Sequence, residues 1–232
     1  MTAVRRPGLR ERKFAKTKIS LVKAALGRLE EVSLDEVSVR DLCEVVEVSE
    51  ATFFNYFIKK SELLDYYIQL WMLELGWHMR QADTRGLEAI ATVFDRVARQ
   101  FEQQPGAMVE VVAHQARRRG KAVSPGISEA ERQMAFPDLA GIEDVPVMGL
   151  DRLWLHGVEQ AIGAGQLPPN THQATVLVGL AAIFYGVPMA LAATNPATIA
   201  SMYRQQLNIY WVGVKSMARG EGQLASSTAG VG

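Results

Sequence analysis

Between Ser38 and Leu64 two short apolar helical patterns flank a tight polar break. Val39, Leu42, Cys43 and Val46 fall at i, i+3, i+4 and i+7, the spacing of one helix face. Ser38 is placed to cap that helix, with Asp41 in the capping-box position three residues on. The helix is expected to end near Glu47, with Val48 turned inward and Ser49 capping a second helix over about Glu50–Tyr56. Phe53 and Phe57 lie one turn apart and are positioned to hold the second helix on the first. That arrangement leaves Glu50, Ala51, Thr52, Phe54, Asn55 and Tyr56 on or near the outward side. Two helices joined in this way have the pattern of a helix-turn-helix, whose second helix is shaped to enter the DNA major groove.

The rest of the chain is also patterned as helix. A first helix is expected over about Glu11–Glu31, with Phe14, Ile19, Val22, Leu26 and Leu29 inward, followed by a capping-box-like break at Ser33 and Glu36. Lys59 and Lys60 precede Ser61, the expected cap of a long helix through Leu63, Leu64, Tyr67, Ile68, Trp71 and Leu75. Leu87, Ile90, Ala91, Phe94, Val97, Ala98 and Phe101 form an amphipathic stripe ended by Pro105 and Gly106. Ala107–Arg119 follows as a helix with Arg117, Arg118, Arg119 and Lys121 at its end. Those cations either complement the helix dipole or meet an anion. Val123–Val147 changes texture, with Pro125, Gly126, Pro137, Gly141 and Pro146, and Ser128 with Glu131 marks one short capped helix inside it. A connection of that length is a candidate gate for a cavity. Helix resumes over Val147–Ala164.

Two further helices, about Thr171–Leu191 and Pro196–Ala218, are apolar on most sides, and Pro188 is expected to kink or shorten the first. Helices of that kind need cover on most sides, either from a symmetric partner or from each other. Val176, Leu180, Ile183, Val187, Tyr203, Tyr210, Trp211 and Val214 are the candidate dimer-interface residues. The Gly/Ser/Ala-rich residues 219–232 are expected to be a disordered tail.

The segment T-F-F-N-Y-F followed by K-K-S-E-L-L, preceded by V-R-D-L-C-E-V-V-E-V-S, resembles the DNA-binding region of the TetR family of bacterial transcriptional regulators. With the first helix included, the likeness covers about Lys16–Tyr67. Two positions depart from the family pattern. Glu47 stands where the family commonly has Gly in the turn, and Phe54 stands where it commonly has Tyr. A left-handed backbone at Glu47 would cost about 1 kcal/mol. Phe54 has no hydroxyl to offer a phosphate.

The resemblance implies an all-α protein in three parts: an N-terminal arm and helix-turn-helix domain over 1–60, a helical effector-binding and dimerisation domain over 61–218, and the tail. Arg40, Thr52, Asn55, Tyr56, Lys59 and Lys60 are the candidates for holding the phosphate backbone, and Glu50, Ala51 and Phe53 for approaching bases. The same resemblance implies a mostly apolar effector pocket. Its candidate lining is Trp71, Phe94, Phe101, Met108, Val112, Trp154, Phe184 and Tyr185, with His114 and His156 as polar groups. Each of these also fits plain core, and the aromatic run Phe53–Phe57 also fits a core with a solvated flank.

Charge alters the picture locally. The chain of 232 residues has 25 Lys/Arg and 25 Asp/Glu, net zero. Up to Arg28, however, it carries Arg5, Arg6, Arg10, Arg12, Lys13, Lys16, Lys18, Lys23 and Arg28 against Glu11 alone, a basic footprint suited to DNA. The single cysteine, Cys43, lies on an apolar face, which excludes an intrachain disulfide and fits a cytoplasmic protein. Apolar runs are interrupted by polar residues, so no membrane span or secretory signal is expected.

Ser20 and Lys23 match a short nucleophile pattern without its supporting motifs, and His156 and Glu159 are two residues at metal-ligand spacing where a site needs more. No catalytic set, metal or cofactor is expected. The expected partners are a double-stranded, pseudo-palindromic operator, an unidentified small-molecule effector and a second copy of the chain. The other function class that fits is an all-α ligand-binding or scaffolding protein without specific operator binding.

Overall fold

The computed structural model describes residues 8–118 and 126–228, with backbone alone from 218 onward. The described residues are helical and contain no strand. The helices are α1 (Leu9–Leu29), α2 (Val39–Val46), α3 (Glu50–Tyr56), α4 (Glu62–Gln81), α5 (Gly86–Gln103), α6 (Pro105–Arg117), α7 (Glu129–Ala135), α8 (Leu150–Gly163), α9 (Gln173–Leu191) and α10 (Ile199–Thr228). Two 3₁₀ turns, Ile142–Asp144 and Pro196–Thr198, join them. Arg5, Arg6, Arg119, Lys121, residues 123–125 and the last residues of the expected tail lie outside the described residues.

The chain divides into two compact units. Their boundaries fall at His78/Met79, Gln103/Gln104 and Val147/Met148. The unit that contains the helix-turn-helix therefore extends past residue 60 and takes in most of α4 together with α6 and α7.

Three polar anchors explain this grouping. Glu30, just past α1, accepts the backbone N–H groups of Gly106 and Ala107, each at 3.0 Å, and so caps the start of α6. Gly106 is needed there, because a Cβ would sit 2.2 Å from the Leu29 carbonyl oxygen. At the other end of α6, His114 and Arg118 meet the Asp65 carboxylate of α4 at 2.9 and 3.1 Å.

The third anchor is buried. Lys18 of α1 donates to Glu131 of α7 at 2.8 Å, and the Tyr66 hydroxyl of α4 donates to the same carboxylate oxygen at 2.9 Å. The other oxygen of Glu131 takes the Ser128 N–H and hydroxyl, completing the expected capping box. Burial pushes the Glu131 carboxyl upward, but the bonds from Lys18 and Ser128 outweigh it and hold the group below its ordinary value. The Lys18 ammonium also lies 3.9 Å from the Tyr66 ring centroid. Lys18 is thus removed from the basic footprint to which its position in the sequence assigned it.

In the second unit α5 packs on α8 and α10, and α9 packs on α8 and α10. Phe94, Trp154, Phe184 and Tyr203 form its aromatic centre, with Phe94 4.9 Å from Tyr203, 5.5 Å from Phe184 and 5.8 Å from Trp154. Pro188 lies inside α9, which continues to Leu191. A proline leaves the carbonyl four residues earlier without its N–H partner. That carbonyl belongs to Phe184, and the buried Tyr203 hydroxyl donates to it at 2.7 Å. Gly179 lets α10 approach: a Cβ there would lie 2.2 Å from the Tyr210 hydroxyl, which donates to the Val176 carbonyl at 3.1 Å.

Three expectations change. Phe14 is 44% exposed rather than inward, with its ring 4.4 Å from Tyr56. Pro105 begins α6 as its first residue instead of only ending α5. The backbone of α10 stays helical to Thr228, past the expected end at Ala218. Its last stretch keeps helix formers such as Gln223, Leu224 and Ala225, and Gly220 and Gly222 weaken such a run without forbidding it. Among the described residues, α9 is long and apolar enough to cross a membrane by length and composition, with Thr175 and Tyr185 as its polar side chains after Gln173.

Candidate nucleic-acid interface

The helix-turn-helix is built by local hydrogen bonds. The Ser38 hydroxyl accepts the Asp41 N–H at 3.2 Å and starts α2; the Ser49 hydroxyl accepts the Thr52 N–H at 3.2 Å and starts α3. Between them the chain reverses at Glu47, whose backbone is left-handed at φ 58° and ψ 46°. Among the described residues it is the single non-glycine with positive φ. The turn is held by the Val48 N–H donating to the Cys43 carbonyl at 2.9 Å. Val48 is half-buried, and Cys43 is a core residue whose thiol pKa is raised by burial.

Of the nine candidate DNA contacts, Arg40, Glu50, Ala51, Asn55 and Lys59 are exposed, and Thr52, Tyr56 and Lys60 are half-buried. Phe53 is fully buried. It packs 5.6 Å from Phe57, and the two rings fasten α3 to the core, so Phe53 cannot approach a base. The aromatic that does face outward on α3 is Phe54, 50% exposed. Sequence spacing alone placed Phe54 outside and Phe53 inside; its assignment of Phe53 to the bases is corrected by the burial.

The basic candidates differ in their freedom. Lys60 donates to the carbonyls of Asp35 at 2.9 Å and Val37 at 2.8 Å, which commits two of its three N–H bonds to the turn before α2. Arg40 pairs with Glu44 at 3.0 Å, both well exposed, so this contact is weak and readily exchanged for a phosphate. On α1, Arg10, Arg12, Lys13 and Lys16 are exposed and supply the positive field on that helix.

The candidate effector residues are divided between the two units. Trp71, Met108, Val112 and His114 belong to the first unit, and Phe94, Phe101, Trp154, His156, Phe184 and Tyr185 to the second. His114 is engaged with Asp65, and His156 is exposed beside Gln160 at 3.0 Å. Within the second unit Phe94, Trp154, Phe184 and Tyr185 do come together by ring contact. The Trp154 indole nitrogen there is buried without an acceptor. A separate open groove of about 580 Å³ runs between α5 and α10, over Leu87, Ala91, Leu207 and Trp211, with Arg204 and Lys215 beside it. The i, i+4 pairs Leu87/Ala91 and Leu207/Trp211 mark its two walls in the sequence. Among the described residues no three His, Cys, Asp or Glu side chains gather as a metal site.

Most of the candidate dimer residues are already used within the single chain. Val176, Leu180, Val187, Tyr203 and Trp211 are buried within the single chain, and Ile183, Tyr210 and Val214 are half-buried. The strongest apolar stripes of α9 and α10 are consumed by packing on each other and on α5 and α8. Val178, Met189, Ile209, Val212 and Met217 remain exposed on the same two helices, each at least 60% accessible.

Residues 21–67, from within α1 to the first turns of α4, match the family profile described as bacterial regulatory proteins, tetR family. The fold is similar to that of a TetR transcriptional regulator from Rhodococcus sp. RHA1. The TM-score is 0.51 and the identity 15%, over 85% of this chain and 98% of that chain. No curated protein matches the chain. The capped helix-turn-helix thus lies within the span that matches the tetR-family profile, in a mainly helical chain whose fold is similar to that of a TetR transcriptional regulator.

Proposed function

We propose that the chain is a homodimeric transcriptional repressor whose two helix-turn-helix heads bind a pseudo-palindromic operator and release it when a small molecule binds. The observation that carries this reading is the outward surface of α3. It presents Glu50, Ala51, Phe54 and Asn55 to solvent on a helix pinned from behind by Phe53 and Phe57. Arg40, Lys59 and the cations of α1 supply phosphate contacts, and the third N–H bond of Lys60 adds one more. Two heads would enter successive major grooves about one helical turn apart.

Dimerisation is supported by the exposed apolar side chains Val178, Met189, Ile209, Val212 and Met217, which a second copy would cover. Effector control is supported by the unsatisfied indole N–H of Trp154, a buried donor that an acceptor on a ligand would satisfy. A ligand changes operator affinity only by as much as it prefers one state of the protein over the other.

A gel-shift titration against fragments of the source genome, repeated at several salt concentrations, tests the reading. Retention of a small subset of fragments with a steep salt slope is expected. Uniformly weak binding to every fragment at moderate salt would instead favour a ligand-binding or scaffolding protein.

A further inference from the structure

We propose that Phe54 reads the C5 methyl group of a thymine in the operator half-site. The inference rests on the DNA-binding function proposed above and names a base feature that the function leaves open. Phe54 is half exposed on a helix whose neighbouring outward residues, Ala51 and Asn55, are small or polar. Its ring is held edge-on to Phe53, with centroids 5.3 Å apart and planes at 82°. Phe53 is itself fully buried against Phe57, so the outer ring rests on a fixed base.

A phenyl ring has no donor or acceptor, so Phe54 can bond neither a phosphate nor the polar edge of a base. In the major groove, the apolar feature a base pair presents is the thymine methyl, and phenylalanine is among the side chains suited to it. An exposed ring at the centre of a groove-entering helix is therefore stabilised by that methyl. Asn55, next to it and also exposed, has the paired donor and acceptor suited to adenine. Together they describe recognition of neighbouring A·T pairs, with the methyl read by Phe54.

The experiment begins with full-length protein and a pool of random duplexes, from which binding sequences are selected. Each thymine of the selected duplex is then replaced singly by uracil, which removes only the methyl. Loss of one buried methyl is expected to weaken binding about fourfold. The loss should occur at one symmetry-related thymine pair and disappear in Phe54→Ala, while Phe54→Leu, which keeps apolar bulk, retains part of it. Helix content and the unfolding midpoint are measured on both variants, and Phe54→Leu carries the test if Phe54→Ala is unstable. A selected duplex that tolerates uracil at every position would overturn the inference and leave DNA binding standing. Equal uracil sensitivity in wild type and both variants would do the same. If no duplex is enriched, operator binding itself fails, and the thymine contact with it.

Discussion

Removing the Glu131 carboxylate should destabilise the DNA-binding unit far more than its distance from the helix-turn-helix in sequence suggests. Lys18 and Glu131 have side chains only 7% and 4% accessible, and the carboxylate accepts four hydrogen bonds, from Lys18, Tyr66 and Ser128 twice. Glu131→Ala leaves a buried ammonium and a buried phenol without their acceptor. Breaking one side of such a pair costs about 3–5 kcal/mol, whereas replacing both partners by apolar groups of similar size is often neutral. In a chain of this length that corresponds to a fall in midpoint of about 6–20 °C.

Thermal and urea unfolding followed by circular dichroism will measure it, on Glu131→Ala, Lys18→Met, and Lys18→Met with Glu131→Leu. The double variant should recover most of the loss. The pH dependence has a definite sign. Because the folded state holds the Glu131 carboxyl below its ordinary value, its contribution is present above the unfolded carboxyl pKa and is lost as pH falls through the folded one. The wild type should therefore lose more stability than the double variant on acidification below about pH 4.5. A single variant within about 1 kcal/mol of wild type, or a double variant as unstable as the single, would refute the reasoning.

Other outcomes follow from the same geometry. Glu47→Gly should stabilise the protein by about 1 kcal/mol by relieving the left-handed backbone, seen as a higher urea midpoint at unchanged slope; a lower midpoint would count against strain at that turn. Tyr203→Phe should cost about 1–3 kcal/mol by stranding the Phe184 carbonyl, and the penalty should shrink when Pro188→Ala restores an N–H to it. Val212→Asp should shift sedimentation from dimer toward monomer with helical content intact; an undiminished dimer would remove the α9–α10 face from the interface. Lys60→Met should lower stability as well as DNA affinity, because two of its bonds tie down the turn before α2; a variant with normal stability and weakened operator binding would assign Lys60 to phosphate alone.

Much of the DNA-binding module was legible because its determinants are local. Ser38 and Ser49 cap helices through bonds reaching three residues along, so their positions predict where α2 and α3 begin. The capping box of Ser128 and Glu131 marked α7 for the same reason, inside a segment otherwise rich in turn residues. The turn at Glu47 follows from the spacing between the two helices, and the structure supplies the left-handed backbone that this spacing requires. The outward set on α3 was nearly right, and its error lay in giving Phe53 two incompatible tasks.

What the sequence by itself determined was the helical class, the cap positions and the order of elements, because periodicity and capping act over a few residues. The tertiary structure alone decided where side chains ended up. Lys18 counted as part of a basic stretch until Glu131, 113 positions away, buried it. Tyr203 was an interface candidate until the gap that Pro188 leaves in α9 claimed its hydroxyl. The apolar helix α9 shows too little contrast around its circumference for pattern to say which stripe faces in, and α10 carries apolar side chains on more than one side. Only packing against α5 and α8 chose Val176, Leu180 and Trp211 for the core and left Val178, Ile209 and Val212 outside.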